Sequence, residues 1–194
     1  MFNFRIHISK LAHIKTHSDM KNVIQILIIT VVCICCNNKQ GSQVIKKWEL
    51  IPDIYIIDKE KPIESLVEIT RYFKGNPVYI DRWATWCSPC IEEFKYGDSL
   101  HKFLNDNKIE MVYINSDIDI QDSVFYHFII SHNLRGYHLR LNNTLKKDLI
   151  EQKIFIPRIP QFMIMNKNGQ VVENNALRPS KGDSLFIQLK KYIS

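Results

Sequence analysis

The sequence predicts an α/β domain in which a central mixed β-sheet is flanked by helices on both faces. Strand-like and helix-like segments alternate between residues 62 and 152, and Asn168-Gly169 then joins two short apolar runs. Asn-Gly between apolar runs is the strongest short signal for a β-hairpin. Alternating strands and helices favour parallel strands with helices on both faces, and the hairpin adds antiparallel strands. A chain of 194 residues fits one such domain with an appendage.

The individual elements follow from hydrophobic periodicity and from start and stop residues. The first predicted helix has Pro62 in its first turn and Gly75 just after its end. The later elements are predicted, in order, as a strand at 77–82, a helical stripe of Ile91, Phe94, Leu100, Phe103 and Leu104, a strand at 110–115, a helix capped by Asp119 or a neighbour, a helix at 144–152, hairpin strands at 161–165 and 170–173, and a helix capped by Asp183.

The charge of the chain is concentrated in its N-terminal segment. Of the net charge of +6, residues 1–45 carry +4 and residues 46–194 carry +2. A nucleic-acid-binding domain needs Lys and Arg clustered on the folded part, so we predict no nucleic-acid partner. With 45% apolar and 24% charged residues, the composition is that of a globular protein and excludes a disordered or fibrous chain.

An apolar run near the N-terminus predicts export. Residues 23–36 are apolar-rich, follow Lys21 and precede a polar stretch. The run is shorter than the ~20 residues that span a bilayer, and a short apolar run after a positive residue is typical of a secretory signal. A buried core helix is the alternative. We predict a signal-type segment at 1–36, with a possible true start at Met20, a linker at 37–46, and a folded domain at 47–194.

The five cysteines separate into two groups. Cys33, Cys35 and Cys36 lie in the apolar run, and Cys87 and Cys90 form a C-x-x-C pair. The end of the run resembles a bacterial lipoprotein signal, which implies that Cys36 is the lipid-modified residue and tethers the chain to a membrane. An uncleaved membrane anchor is the competing interpretation.

The C-x-x-C pair predicts redox chemistry. A pair that follows a strand and begins a helix places its first thiol at the positive helix end, which lowers the pKa of that thiol. The resulting thiolate attacks, and the second cysteine resolves the mixed disulfide. Half of a zinc site is the alternative, but four ligands are normally needed. The domain has no second ligand pair and only His101 as a lone candidate, so we predict no metal.

The block Trp83-Ala84-Thr85-Trp86-Cys87-Ser88-Pro89-Cys90 resembles the thioredoxin superfamily, and within it the exported bacterial TlpA/ResA-like branch. The resemblance covers residues 47–194, and its second anchor is Ile159-Pro160-Gln161. It implies a thioredoxin-like fold in which Pro160 is cis and lies against the active-site disulfide. It also implies that the backbone of Ile159 binds an extended substrate segment. Pro157 is a rival for the cis position, but the hairpin that follows favours Pro160.

The resemblance also assigns roles to individual residues. It makes Cys87 the nucleophile, Cys90 the resolving thiol, and Asp81 a buried acid that helps to move the proton of Cys90. A carboxyl group in an apolar strand should have a raised pKa. The alternative is an Asp81 that is solvated or paired with Arg82. Strand alternation favours the buried, unpaired acid over this alternative. Trp86 is expected beside the disulfide, where it shapes the contact surface.

The sequence departs from the family pattern at several positions. Arg82 stands where the family commonly has Phe, and Lys95 stands where many relatives have a helix-kinking proline. Ser88 replaces the Gly of thioredoxin, so the reduction potential cannot be transferred from it. Glu92 and Glu93 are expected in the first helical turn, where they favour the helix but oppose a nearby thiolate.

These observations predict a thiol–disulfide oxidoreductase that is exported, periplasmic and membrane-tethered. It would need no cofactor, take electrons from a membrane protein, and reduce the disulfides of protein substrates. A disulfide oxidant or isomerase is the alternative within the same class of enzyme. A non-catalytic peptide-binding module with the same fold is the alternative from a different class, and the intact Cys87 and Cys90 argue against it.

Overall fold

A computed structural model of the chain describes residues 53–193. The predicted signal-type segment at 1–36, the linker at 37–46 and the lipidation candidate Cys36 lie outside the described residues. These predictions therefore remain expectations. Among residues 53–193, no helix combines the length and the apolar character that crossing a membrane requires.

The described strands form one mixed sheet that positions everything else. They are β1 (Ile54–Ile56), β2 (Val78–Trp83), β3 (Glu110–Asn115), β4 (Gly136–Arg140), β5 (Gln161–Met165) and β6 (Val171–Glu173). Their order across the sheet is β1-β4-β3-β2-β5-β6. The first four strands in this order are parallel to one another, and β5 is antiparallel to both of its neighbours, β2 and β6. The predicted mixed sheet is confirmed.

Side chains cap the first turn of some of the described helices but not of others. They are α1 (Leu66–Tyr72), α2 (Ser88–Phe94), α3 (Gly97–Asp106), α4 (Asp122–Ser131), α5 (Asn143–Glu151) and α6 (Asp183–Ile193). Ser65 caps α1 by accepting from the N–H of Glu68, and Asn142 caps α5 by accepting from the N–H of Leu145. A short 3-10 helix at Pro179–Lys181 precedes α6.

The sheet divides the apolar core into two halves because successive strand residues point to opposite faces. Tyr79 and Trp83 of β2 pack on one face with residues of α3, α4 and α6, and both cysteines of the C-x-x-C pair belong to this half. Val78 and Ile80 pack on the other face with residues of α1 and α5. Helices on both faces confirm the predicted layers.

The predicted start of the first helix was wrong, and the helix expected to start at Asp119 or a neighbour begins after Gln121. The first helix excludes Pro62 and begins at Leu66, because the side chain of Ser65 provides its cap. Asp119 lies before α4 with φ +52°, and Gln121 occupies the cap position.

The single predicted stripe after the C-x-x-C is in fact two helices, α2 and α3. The N–H groups of Lys95 and Tyr96 bond carbonyls only three residues back, which ends α2 before Gly97 starts α3. Strands β3 and β5 occupy the predicted residues, whereas β1 and β4 were not predicted.

Candidate active site

Cys87 and Cys90 are joined by a disulfide at the beginning of α2. Cys87 is the N-cap residue of this helix, its sulfur accepts from the N–H of Cys90 at 3.3 Å, and Pro89 lies in the first turn. Cys87 is 3% exposed and Cys90 is fully buried. Of the two sulfur-bearing residues, only Cys87 thus keeps any contact with solvent in the oxidised form.

The loop between β2 and α2 is held by an acid that sequence reasoning missed. The carboxylate of Asp117 accepts from both the N–H and the hydroxyl of Thr85, each at 2.9 Å, and from the side-chain amide of Asn115 at 2.7 Å. This anchors the residue next to Trp86, whose side chain is 68% exposed beside the disulfide-bonded pair. Trp83 is fully buried and stacks on Phe128.

The peptide bond between Ile159 and Pro160 is the one cis bond within residues 53–193. Gln161, the first residue of β5, pairs with Arg82 near the end of antiparallel β2. The chain runs from this same end of β2 to Cys87, so the cis bond and the disulfide lie at the same edge of the sheet. Ile159 packs against the apolar cluster that contains both cysteines.

Asp81 is buried in the middle of the sheet, on the face that carries the disulfide. It is 2% exposed, and its Oδ1 atom has no hydrogen-bond partner. Burial raises the pKa of Asp81 well above its usual value, and the nearby charge of Glu93 raises it further. Arg82 points to the opposite face and bonds Gln161 there, so within the described chain it forms no ion pair with Asp81.

Glu93 is a buried acid whose position differs from the prediction. It lies in the second half of α2, not in the first turn, because the helix begins at Ser88. Its carboxylate accepts from the N–H of Ser180 at 2.8 Å, from the Ser180 hydroxyl at 3.0 Å, and from Arg178 at 3.5 Å. Glu92 is exposed and pairs with Lys95. The spacing of Glu93 three residues after Cys90 was the available signal, since such residues share a helix face.

The site therefore consists of a disulfide at a helix start, a cis-proline segment beside it, and two buried acids behind it. Within the part of the chain that the structure describes, no three His, Cys, Asp or Glu residues are grouped in a way that could hold a metal ion. The reactive groups are the two sulfur atoms, and the chemistry they support is thiol–disulfide exchange.

Comparison with known proteins identifies the class. The family model described as thioredoxin-like matches residues 75–171, half of the chain, and the chain belongs to this family. The thiol-disulfide oxidoreductase ResA of Bacillus thuringiensis subsp. konkukian is 27% identical over 145 residues, which cover 73% of each chain. Together with the Cys87–Cys90 disulfide, these matches make the chain a thiol–disulfide oxidoreductase.

Solved structures agree with this fold. The solution structure of a Bacteroides vulgatus protein, proposed to be a thiol-disulfide oxidoreductase, is 26% identical with a TM-score of 0.51. That match covers 62% of this chain and 78% of the other. A thioredoxin-family thiol:disulfide interchange protein from Chlorobium tepidum is 16% identical with a TM-score of 0.53, covering 64% of this chain and 85% of the other. This second match supports the fold alone.

The burial of Asp81 predicts an unusual pH dependence of stability. A carboxyl group whose pKa is raised by folding binds more protons in the folded state. The free energy of unfolding then falls as the pH rises from the unfolded pKa, near 3.8, through the folded pKa. The slope from one such group reaches about 1.4 kcal/mol per pH unit. Urea unfolding of the oxidised protein at a series of pH values measures this effect. In Asp81→Asn the free energy of unfolding should no longer fall as the pH rises, and the variant should be more stable than wild type at neutral and alkaline pH.

Asp106→Asn is the matched control. Asp106 lies at the exposed end of α3, where it pairs with Lys102, and the variant should follow the pH profile of the wild type. A stability difference between Asp81→Asn and wild type that stays constant from about pH 4 to 9 would mean that folding leaves the titration of Asp81 unchanged.

Proposed function

We propose that the chain reduces disulfide bonds of protein substrates outside the cytoplasm. The observation that carries this proposal is the location of three features at one edge of the sheet. These are the Cys87–Cys90 disulfide, the exposed Trp86, and the cis-proline segment at Ile159-Pro160. An aromatic surface beside a redox pair suits an extended polypeptide better than a small thiol.

The reaction proceeds through a mixed disulfide. The Cys87 thiolate attacks one sulfur of the substrate disulfide, and the substrate's other sulfur leaves as a thiolate that takes up a proton. Cys90 then loses its proton and attacks the Cys87 sulfur, which releases the second substrate thiolate. The substrate gains two electrons and two protons, and the chain is left with the disulfide seen in the structure. A membrane protein that donates two electrons would restore the dithiol.

Asp81 is proposed as the group that accepts the proton of Cys90. It lies on the disulfide-bearing face of β2, and burial together with the charge of Glu93 raises its pKa. General bases act best when their pKa lies near the working pH. Burial raises the pKa of Asp81 above its ordinary acidic value, which is the direction that a general base at neutral pH requires.

The charges behind the disulfide favour a reductase over an oxidant. The strong oxidant DsbA owes its potential to a stabilised reduced form. In this chain the buried Glu93 carboxylate lies one helical turn from Cys90, and negative charge there disfavours a thiolate. The reduced form therefore gains less from thiolate formation than it does in DsbA, and the pair gives up its electrons more readily. The alternative is a disulfide oxidant or isomerase, and the reduction potential of Cys87–Cys90 distinguishes an oxidant from a reductase.

The reduction potential tests this direction. We expect a value for Cys87–Cys90 near the −270 mV typical of thioredoxin, measured by equilibration in dithiothreitol redox buffers. Glu93→Gln should make the potential less negative by at least roughly 30 mV, because it removes the opposing charge. Glu92→Gln is the matched control on the exposed side of the same helix and should change it little. A value near the −120 mV of DsbA would establish an oxidant instead.

The mixed disulfide tests the assigned roles. Cys87→Ser should abolish exchange, and Cys90→Ser should accumulate a substrate-linked species on a non-reducing gel, because only Cys87 is accessible for the first attack. Asp81→Asn should slow the resolution of this species by at least roughly tenfold, since acid–base assistance is worth 10²–10⁴-fold. Stopped-flow tryptophan fluorescence would separate the two steps through Trp86.

Two outcomes would contradict these roles. Equal trapping by the variant that retains only Cys90 would reverse the assignment of nucleophile and resolving thiol. Resolution at the wild-type rate in Asp81→Asn across the neutral pH range would make Asp81 a structural residue. Asp106→Asn again serves as the control for a change of charge alone.

Export and membrane attachment are proposed from the N-terminal sequence. The apolar run at 23–36 is too short to span a bilayer and ends in cysteines beside polar residues. We expect a mature chain that begins at lipid-modified Cys36 and fractionates with membranes. Mass spectrometry of the mature N-terminus in the native host, with Cys36→Ser as the comparison, checks this. A soluble cytoplasmic chain that begins at Met1 or Met20 would contradict it.

A further inference from the structure

Arg82 is a buried cation on the face of the sheet opposite to the disulfide. It is 3% exposed, and burial lowers its pKa to about 10, so the guanidinium remains charged at neutral pH. A buried charge is costly unless it is paired or fully hydrogen-bonded. The groups that surround Arg82 therefore show what the residue is for.

The guanidinium is bonded to the backbone immediately before the cis-proline. Its Nη2 atom donates to the carbonyl oxygens of Ile156 and Arg158, the latter at 2.8 Å. Its Nε atom donates to the side-chain oxygen of Gln161 at 3.0 Å, and its Cζ atom lies 4.2 Å from the centre of the Phe155 ring. One planar cation thus contacts both sides of the Ile159–Pro160 bond.

Gln161 completes the same network from the other side of the proline. Its side-chain amide donates to the carbonyl oxygen of Ile154 at 2.8 Å and to that of Asn174 at 2.9 Å. Its oxygen accepts from the N–H of Ile156 at 3.3 Å as well as from Arg82. Gln161 is itself 2% exposed, so its bond with Arg82 is buried, whereas the bonds of the two side chains to the backbone are partly buried.

The proposed function assigns substrate binding to the segment between these anchors. Ile159 and Pro160 are both partly exposed, and the residues on either side of them, Arg158 and Gln161, are held by Arg82. Pro157 has no N–H group, so this short segment has few donors of its own. The Arg82 side chain supplies donors that the backbone lacks.

We propose that Arg82 and Gln161 act together as a positioning unit that fixes residues 156–160 in the shape that binds an extended protein substrate. This inference rests on the proposed function. It assigns a purpose to a buried cation that an apolar residue, which cannot donate, would not replace. Arg82 points away from Asp81 and the cysteines, so the unit controls substrate binding and leaves the reactivity of the thiols unchanged.

The test separates binding from chemistry. In the full-length chain, Arg82→Met should raise KM for a disulfide-bonded protein substrate such as insulin roughly tenfold, the expected effect of losing charged hydrogen bonds, with kcat within about twofold. The rate of the reduced enzyme with a small aromatic disulfide, 5,5′-dithiobis(2-nitrobenzoate), should stay within about twofold of wild type. Circular dichroism verifies that each variant is folded.

Two further variants make the result decisive. Arg82→Lys keeps the charge but cannot reach three acceptors with a planar fork, so its KM should lie between wild type and Arg82→Met. If Arg82→Met does not fold, Arg82→Lys alone tests the proposal. Arg135→Met is the matched control, because Arg135 pairs with Asp98 away from the cis-proline segment, and its kinetics should equal those of wild type.

The outcomes distinguish this inference from the function on which it rests. An unchanged KM in both Arg82 variants, or an equal loss of rate toward the protein and the small disulfide, would overturn the positioning role. A wild-type chain that reacts with the small disulfide but does not reduce the protein would instead refute the proposed function, whatever the Arg82 variants do.

Discussion

The burial of strand β2 on both faces is the constraint on which the rest of the molecule depends. All six of its residues are buried, and two adjacent ones, Asp81 and Arg82, are ionisable. Because neighbouring residues of a strand point to opposite faces, the sheet itself keeps the carboxyl group and the guanidinium apart. The two groups cannot neutralise each other, so each must be accommodated by its own half of the core.

The two halves resolve this constraint in different ways. On the disulfide side, Asp81 has an unpartnered oxygen and a second acid nearby, and its pKa is raised above the ordinary value. On the other side, Arg82 keeps its charge and is bonded to carbonyl oxygens. Antiparallel β5 begins where β2 ends, and this register brings the cis-proline segment held by Arg82 to the end of β2 from which the chain continues to Cys87.

The features that the sequence predicts well are local, and those it misses are long-range or masked by polar residues. Strand β3, strand β5 and the helix after Cys87 follow from short patterns in the chain. Strand β4 escapes notice because His138 interrupts its apolar pattern, although this histidine is fully buried and burial lowers its pKa to about 3. The bonds from Arg82 to Gln161 and from Glu93 to Ser180 join residues 79 and 87 positions apart. No local pattern indicates such pairs.

The Arg82 network also explains why replacing Arg82 by an apolar residue such as Phe should not be neutral in this chain. Phe at position 82 would remove a costly buried charge, but the carbonyl oxygen of Arg158 would lose the Arg82 donor, and that of Ile156 would keep only the N–H of Arg158. An unmade buried hydrogen bond costs about 1–3 kcal/mol. Gln161 would also lose one of its partners. Arg82, Gln161 and the segment between α5 and β5 therefore depend on one another, and the shape of Ile159-Pro160 is a property of the whole network.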